Sequence, residues 1–321
     1  MDVSSTVTII TITRNLLLAH RTDSFKRCVE SVRNQTYAPI EHLIIDGAST
    51  DGTLELLKEY SEKGFIKYLS KLDKGIYDAM NNGVKAANGK YIAFLNSDDY
   101  YHKPDGIEKS VLMLEAAGAD FSYAPVVNLD QKTDFREVLI PDISRVFFTI
   151  TPNHQTMFVR KDALIKEGLF NTKYSYVADY DLIVRLCLGG YRSVFVPESF
   201  VTYQLGGFSL EGTNNGLTFN EVTDIYYENY RKLCFVTKED CRKICGDIYS
   251  GNYADIPEKL ARKLRCVYTY FDYAKWKKDN TQLNKLVIKW KGFLRRKAKR
   301  CASMLKMPNR VKQIAKKILN L

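Results

Sequence analysis

The sequence reads TVTIITIT at residues 6–13, TDSFKRCVESVR at 22–33 and HLIID at 42–46. The first and third segments are rich in β-branched and other apolar residues, which favours buried strands. The middle segment carries apolar residues at helical spacing, among them Phe25 and Val29. A strand, a helix and a second strand in this order predict two parallel strands joined by a right-handed crossover.

The same alternation continues along the chain and sets the expected fold class. It predicts helices at 53–62, 77–87 and 181–188, and strands at 66–70, 91–96, 193–196 and 199–204. Strands that alternate with helices are typical of a doubly wound α/β fold with a mostly parallel sheet. Ligands of such sheets bind beyond the carboxyl ends of the strands.

The composition indicates a globular body with a basic C-terminal extension. The chain has 321 residues, of which 45% are hydrophobic and 12% aromatic, enough for a sizeable core. The net charge is +11, but residues 259–321 hold 20 lysines and arginines against two acids, so the preceding part is acidic overall. The alternating pattern ends near Gly216. We therefore expect a body at 1–216 and a helical, basic region at 217–321.

Two amphipathic segments lie within residues 280–321. Apolar residues such as Leu283, Val287 and Trp290 form one stripe, and lysines and arginines occupy the other faces. This pattern is typical of helices that lie on an anionic membrane surface. The alternative is a helix that packs on the body and leaves its charges in water.

The sequence favours a cytoplasmic protein that is peripheral on the inner face of the cytoplasmic membrane. The first residues lack the basic start of a secretory signal, and no stretch approaches the roughly 18 apolar residues of a membrane span. The seven cysteines have no metal-binding spacing, which favours buried, reduced thiols.

Carboxylates follow three of the first four predicted strands. Asp46, Asp73 and Asp98 stand at or near these strand ends, so we expect them at one edge of the sheet. An anionic ligand could bind there only if a divalent cation offset the like charges. The chain has neither a G-x-G-x-x-G turn nor a P-loop, which argues against a dinucleotide dehydrogenase and a P-loop nucleotidase. A metal-bridged nucleotide diphosphate is the interpretation that remains.

Six motifs in the first two thirds of the chain resemble, in the same order, those of family 2 nucleotide-sugar glycosyltransferases. They read TIITITRN (8–15), HLIIDGASTDGT (42–53), DKGIYDAMNNGV (73–84), GKYIAFLNSDD (89–99), NHQTMFVRK (153–161) and ADYDLIVRL (178–186). The resemblance is strongest to members that act in bacterial capsule, O-antigen and exopolysaccharide assembly. It implies a GT-A fold with a donor half at about 1–100 and an acceptor half at about 101–216. It also implies a divalent metal (Mg²⁺ or Mn²⁺), a nucleotide-sugar donor, commonly a UDP-sugar, and inversion at the anomeric carbon.

The resemblance further implies a set of residues that bind the nucleotide-sugar. They are Thr13, Asn15, Asp46, Asp73, Lys74, Asn96 and Asp98. Asp98 matches the last residue of the family's D-x-D signature and would bind the metal, while Asn96 replaces the first aspartate. Asp46 could instead form a turn before the next helix, and Lys74 could be a solvated surface residue.

Three features depart from the family pattern. Gly47 stands where many members have a second acid, and Met80 stands where many have an arginine. The Q-x-x-R-W signature of processive polysaccharide synthases is absent. We therefore expect the addition of a single sugar in each encounter.

The reaction requires a base, because a sugar hydroxyl is a poor nucleophile at neutral pH. By resemblance this base is Asp179, with Ala178 in place of the glutamate that precedes it in the family. Asp179 could instead cap the helix that starts there. His154, Gln155 and Asp181 are expected near the acceptor and the diphosphate, although a lone histidine is often structural.

Two functions of other classes remain open at this point. The basic C-terminal region could bind nucleic acid, although an acidic body and apolar stripes speak against this and we expect no nucleic-acid partner. A sugar-nucleotide pyrophosphorylase can share this kind of sheet, but it would need a glycine-rich, arginine-bearing loop after the first strand. The sequence has Thr13-Arg14-Asn15-Leu16-Leu17 at that place. The expected partners are thus a nucleotide-sugar, a glycan or lipid-linked acceptor and an anionic membrane surface.

Overall fold

The computed structural model describes residues 5–206, 212–250 and 258–267, with side chains up to residue 264. The amphipathic segments predicted within 280–321 lie outside the described residues. None of the helices described is both long enough and apolar enough to cross a membrane.

Eleven strands form two sheets in the described part of the chain. They are β1 (Val7–Thr13), β2 (Ile40–Asp46), β3 (Lys67–Ser70), β4 (Tyr91–Phe94), β5 (Tyr100–Tyr101), β6 (Phe121–Tyr123), β7 (Val126–Asp130), β8 (Phe135–Leu139), β9 (Phe158–Arg160), β10 (Ser193–Phe195) and β11 (Val201–Gln204). The central sheet has the order β10-β6-β9-β4-β1-β2-β3, and only β9 runs antiparallel to its neighbours. This order confirms the predicted α/β fold with a mostly parallel sheet.

The helices alternate with the strands, as the sequence predicts. They are α1 (Thr22–Arg33), α2 (Thr53–Glu62), α3 (Ile76–Ala86), α4 (Gly106–Ala117), α5 (Lys161–Lys166), α6 (Ala178–Leu188), α7 (Leu217–Tyr230), α8 (Lys238–Tyr249) and α9 (Glu258–Val267). The helix α1 shows why the pattern works, since its spaced apolar residues Phe25, Cys28, Val29 and Val32 are all buried.

Most predicted boundaries agree with the structure within two residues, and α6 is an exception. This helix begins at Ala178 and not at Asp181, because the chain before it is fixed by a side chain from α7. The carboxylate of Glu221 accepts hydrogen bonds from the backbone N–H groups of residues 175–177, at 2.7, 2.9 and 3.2 Å. The predicted strand at 91–96 ends earlier, at Phe94, because Asn96 begins a turn in which its carbonyl accepts from the Asp99 N–H.

The second sheet has four strands in the order β5-β11-β7-β8. Strand β11 lies at its centre, antiparallel to β5 and parallel to β7. The backbone N–H of Gln204, at the end of β11, donates to Asp99 Oδ1 over 2.8 Å. This bond joins the second sheet to the turn that follows β4 and fixes one wall of the cleft described below.

The helices after residue 216 share the main hydrophobic core with the central sheet. Ile225, Tyr230 and Ile244 are buried in the same cluster as Ile10, Phe94 and other sheet residues. Burial of a large apolar side chain contributes roughly 1.5–3 kcal/mol, so α7 and α8 stabilise the body. The boundary expected at 216/217 therefore does not separate two cores. The α7 helix packs against α6 and α8, and its buried residues belong to the same cluster as those of the sheet.

The five cysteines whose side chains are described are free and buried, as the sequence predicts. They are Cys28, Cys187, Cys234, Cys241 and Cys245. Burial raises the pKa of Cys245 to about 11 and that of Cys241 to about 12, so these thiols stay protonated near neutral pH.

Candidate active site

A cleft of about 520 Å³ opens beyond the carboxyl ends of β1 and β4. Its walls come from the loop after β1, the start of α3, the turn after β4, the short 3₁₀ turn at His154–Thr156, and the segment that leads into α6. Parallel strands end at the same edge of a sheet, which is why these distant segments meet.

Seven of the predicted site residues line this cleft. They are Thr13, Asp73, Lys74, Asn96, Asp98, His154 and Asp179. The cleft lining does not include Asn15, Asp46, Gln155 or Asp181. Each of these four has partners within the protein that account for its position.

Asp46 is fully buried, and its hydrogen bonds join the ends of β1, β2 and β3. Its carboxylate accepts hydrogen bonds from the backbone N–H of Ser49 (2.9 Å) and from the hydroxyl groups of Ser49 (2.5 Å), Ser70 (2.7 Å) and Thr13 (3.3 Å). Ionised carboxylates accept about four hydrogen bonds, so little capacity is left for a nucleotide. The structure thus favours the turn-forming role of Asp46, in place of the expected nucleotide contact.

Asn15 also holds loops together and does not line the cleft. Its backbone N–H donates to the Ser49 hydroxyl over 2.8 Å, and its side-chain carbonyl accepts from the Thr50 N–H over 3.0 Å. The backbone of Asn15 has a positive φ of 49°, a conformation that asparagine tolerates better than most residues. Asn15 therefore positions the loops after β1 and β2 around the cleft, and its contact with the ligand stays a prediction.

Asp98 and Asp99 are neighbours in sequence but have opposite environments. The Asp98 side chain lines the cleft, is 19% exposed and lies 3.8 Å from the Arg21 guanidinium. Asp99 is fully buried and accepts hydrogen bonds from the Gln204 N–H (2.8 Å) and the Gln155 side-chain amide (3.2 Å). Burial, and then the negative charge of Asp98, raise the pKa of Asp99 well above its ordinary value. As expected, Asp99 points away from the cleft.

The environment of Asp99 also explains Gln155. This side chain is 2% exposed and its amide donates to Asp99, so it supports the turn after β4 from below. Gln155 does not line the cleft, and its place near the acceptor and the diphosphate stays a prediction. The Gln155 amide stabilises Asp99, because burying a carboxyl group without a hydrogen bond costs free energy.

Asp181 lies on the far side of α6 and is 3% exposed. Its carboxylate accepts from Arg185 Nε over 2.8 Å, and Arg185 in turn donates to the backbone carbonyls of Glu167 and Leu169. Asp181 also lies 3.4 Å from the side-chain amide of Asn229 on α7. Asp181 does not line the cleft, because two residues along a helix rotate the side chain to a nearly opposite face, and its place near the acceptor stays a prediction.

Asp179 also lines the cleft, and its carboxylate has three hydrogen-bond partners. Its Oδ2 lies 2.7 Å from His154 Nδ1, and its Oδ1 accepts from the Tyr77 hydroxyl (3.0 Å) and the Tyr180 N–H (2.9 Å). Burial alone would raise the pKa of Asp179, but the hydrogen bonds from His154, Tyr180 and Tyr77 outweigh it and the pKa falls below its ordinary value. Asp179 is therefore ionised near neutral pH, and it does not cap α6, since the residue before the helix is Val177.

The protein side chains supply only part of the ligands that a divalent metal would need at this site. Among the described residues no three His, Cys, Asp or Glu side chains cluster as a metal site. Asp98 offers one carboxylate to the cleft, while Asp99 is turned away into its own hydrogen bonds. Mg²⁺ is commonly held by one or two carboxylates together with phosphate oxygens and water. The donor set thus suits an ion that arrives with a phosphorylated ligand.

Sequence reasoning missed three residues that shape the cleft. Arg21, at the start of α1, faces Asp98, and Tyr77 holds Asp179 by its hydroxyl. Glu221 fixes the segment that enters α6. Tyr77 lies inside a motif already quoted, but no local signal marks Arg21 or Glu221, because their partners are 77 and about 45 residues away.

Gly47 has a packing role at the cleft. A Cβ atom at this position would lie 2.5 Å from Asp73 Oδ2, so the Asp73 carboxylate occupies the space that a side chain would fill. The Asp73 carboxylate also accepts from the Gly75 N–H over 2.9 Å. Many family members have a second acid at position 47. In this chain the residue there is glycine, and the Asp73 carboxylate from a neighbouring loop lies in the adjacent space.

The fold is the GT-A fold that the family resemblance implies, and comparisons with known proteins agree. The family model described as "Glycosyl transferase family 2" matches residues 8–167. The uncharacterized glycosyltransferase Rv1514c of Mycobacterium tuberculosis is 34% identical over 197 residues, which cover 59% of this chain and 71% of that protein. The chain belongs to glycosyl transferase family 2. Other mycobacterial glycosyltransferases are 30% identical over 161 residues, and the aligned part spans 62% of their length.

Two solved structures share the fold. Staphylococcus aureus TarS 1-349, solved in complex with UDP-GlcNAc, has a TM-score of 0.59 and 15% identity, covering 82% of this chain and 81% of that one. The mannosyltransferase PcManGT from Pyrobaculum calidifontis, solved with GDP-Man and Mn²⁺, has a TM-score of 0.55 and 15% identity, covering 88% and 86%. At this identity the likeness concerns the fold.

Replacing Gly47 with alanine tests whether the position of Asp73 matters for ligand binding. The added methyl group must displace the Asp73 carboxylate, so we expect affinity for a nucleoside diphosphate to fall about 10–100-fold. Calorimetric titration measures this affinity, and thermal unfolding should change little because a flexible side chain can move. The matched control is Gly246→Ala in α8, where the nearest side chain is 4.0 Å from the added atom. Unchanged affinity in Gly47→Ala would remove Asp73 from the binding site.

Proposed function

We propose that the protein transfers a single sugar from a nucleotide-sugar donor, by preference a UDP-sugar, to a hydroxyl group of a glycan or lipid-linked acceptor. The observation that carries this proposal is the presence of two differently held acids in one cleft. Asp98 offers a carboxylate beside the Arg21 guanidinium, and Asp179 offers a hydrogen-bonded carboxylate whose pKa lies below its ordinary value. Sugar transfer needs both, one to hold an activated diphosphate and one to accept a proton.

The donor end of the cleft combines cations and acids. Arg14, Arg21 and Lys74 line it together with Asp73 and Asp98. A divalent ion bound with the donor would neutralise the diphosphate and stabilise its departure. Asp98 would hold that ion, and Asn96 would offer its amide to the ribose or the sugar. PcManGT, which shares the fold, was solved with Mn²⁺ and GDP-Man and thus supports this choice of metal and ligand class.

The part of the cleft beside Asp179 would bind the sugar acceptor and supplies the base that takes up its proton. Asp179 is held by Tyr77, Tyr180 and His154, so its carboxylate is fixed before the acceptor arrives. In an inverting transfer the acceptor hydroxyl attacks the anomeric carbon in one step and loses its proton to a nearby base. One carboxylate is sufficient for this, which fits a site with one ionised acid in this part of the cleft.

The proposed setting is the synthesis of a cell-surface polysaccharide at the inner face of the cytoplasmic membrane. Its support is the basic, amphipathic composition of residues 280–321 and the absence of the processive signature from the sequence. A protein held at the membrane surface would meet a lipid-linked acceptor there at high local concentration.

Replacing Asp98 with asparagine should abolish the metal dependence of donor binding. In Mn²⁺ we expect the affinity of Asp98→Asn for the nucleotide-sugar to fall about 10–100-fold, because the ion loses its protein carboxylate. In EDTA the variant should bind at least as well as the wild type, since a like charge facing the diphosphate is gone. A panel of nucleotide-sugars with and without Mn²⁺, read by calorimetry, checks both. Equal affinity of wild type and variant in Mn²⁺ would contradict the assignment.

Replacing Asp179 with asparagine should leave donor binding intact and remove turnover. We expect nucleotide release in the presence of acceptor-containing membrane extract to fall about 10²–10⁴-fold, as for loss of a general base. Asp181→Asn is the matched control, because it makes the same change on the far face of α6. This control should lower the melting temperature, since it weakens the buried pair with Arg185, and keep the activity of each folded molecule. Normal turnover of Asp179→Asn would exclude Asp179 as a catalytic residue.

A further inference from the structure

The hydrogen bonds of Asp179 leave one free acceptor position on its carboxylate. An ionised carboxylate has about four such positions, two on each oxygen. Those of Oδ1 face the Tyr77 hydroxyl and the Tyr180 N–H, and one on Oδ2 faces His154 Nδ1 at 2.7 Å. The remaining position is therefore on Oδ2, the oxygen that His154 holds.

The second nitrogen of His154 has a different environment. Nε2 is buried and has no hydrogen-bond partner among the described residues. The ring also borders a small apolar pocket formed by Phe94, Phe170, Leu182 and neighbouring residues. A protonated imidazole would leave a charged N–H unpaired in this environment, which is costly. The contacts thus favour a neutral ring with its hydrogen on Nδ1, where Asp179 accepts it.

We propose that His154 is a positioning residue, whose neutral imidazole holds Asp179 through Nδ1–H so that Oδ2 takes the acceptor proton. This inference rests on the proposed function and assigns the roles within the pair. The O–H bond of the acceptor breaks and its proton passes to Oδ2, while the acceptor oxygen bonds to the anomeric carbon. The bond from that carbon to the diphosphate breaks, and its electron pair leaves with the nucleotide diphosphate. His154 neither gains nor loses a proton.

Other ionisable groups around the pair are accounted for by their contacts. Burial and the charge of Asp179 raise the pKa of Tyr77 well above its ordinary value, so its hydroxyl remains a neutral donor. Glu221 on α7 accepts three backbone N–H groups ahead of α6. Asp99 is separated from the pair by the Gln155 amide, and Asp98 faces the Arg21 guanidinium. All four remain unchanged when residue 154 is replaced, so comparison of variants isolates the pair.

The pH dependence distinguishes this arrangement from one in which histidine is the base. Because His154 lowers the pKa of Asp179, turnover should persist until the pH falls below the ordinary carboxyl range of about 4. A histidine base would instead lose activity as the pH falls through about 6.5. Without the Nδ1–H donor, burial would raise the pKa of Asp179, and the acid limb of the profile would move to higher pH.

Two substitutions of His154 in the full chain test the proposal by kcat, donor KM and pH profile. In His154→Gln the side-chain amide can still donate to Oδ2, so we expect kcat within about tenfold of the wild type and an unchanged acid limb. In His154→Leu the donor is lost, so we expect kcat to fall about 10–100-fold and the acid limb to move to higher pH, with donor KM unchanged. A loss in His154→Gln as deep as in Asp179→Asn would overturn the proposal, as would a wild-type limb near pH 6.5.

A spectroscopic measurement tests the ring itself without reference to turnover. The chain has four histidines, so ¹⁵N-histidine NMR spectra are simple, and the signal lost in His154→Gln identifies residue 154. We expect the ring hydrogen on Nδ1, which contacts Asp179, and none on Nε2, which has no partner among the described residues. A ring that carries its hydrogen on Nε2 would overturn the proposal. If the wild type transfers no sugar, the proposed function fails, and the NMR result still decides the state of His154.

Discussion

The structure depends on how it separates negative charges that meet around one cleft. Six aspartates, at positions 46, 73, 78, 98, 99 and 179, lie in or beside it. Like charges close to one another repel strongly unless each is neutralised or hydrogen-bonded. Asp46 is surrounded by hydroxyl and N–H donors, and burial keeps a proton on Asp99 to higher pH. Asp98 faces the Arg21 guanidinium, and Asp179 is held by hydrogen bonds, so both carboxylates remain at the cleft.

The residues that hold these two acids come from distant parts of the chain. Gln155 and the end of β11 anchor the turn that presents Asp98, and Tyr77 and His154 fix Asp179. Glu221, from a helix beyond the expected domain boundary, sets the path of the chain into α6. The α7 helix is therefore part of both the core and the support of the site. Fixed carboxylates need little reorganisation when a reaction develops charge, which is the advantage of such a framework.

Local pattern predicted the strands and helices of the central sheet well, because hydrophobic periodicity is a property of neighbouring residues. It also placed Asp98 at the cleft, since this residue follows an apolar strand, whereas Asp179 came from the family resemblance. For Asp46 and Asp181 the local pattern does not report partners such as Thr13, Ser70 and Asn229, which lie far along the sequence. The order of strands around β9 and the packing of α7 also depend on long-range contacts. No spacing rule in the sequence reports which side of α6 faces the cleft.

The measurement that tests the account most directly is a crystal structure of the chain with Mn²⁺ and an intact nucleotide-sugar analogue. The account predicts that one oxygen of Asp98 coordinates the ion, that the ion bridges the diphosphate, and that the anomeric carbon lies between the diphosphate and Asp179. Asp46 and Asp99 should keep their present hydrogen bonds. An ion bound away from Asp98, or a sugar whose anomeric carbon faces away from Asp179, would contradict the account.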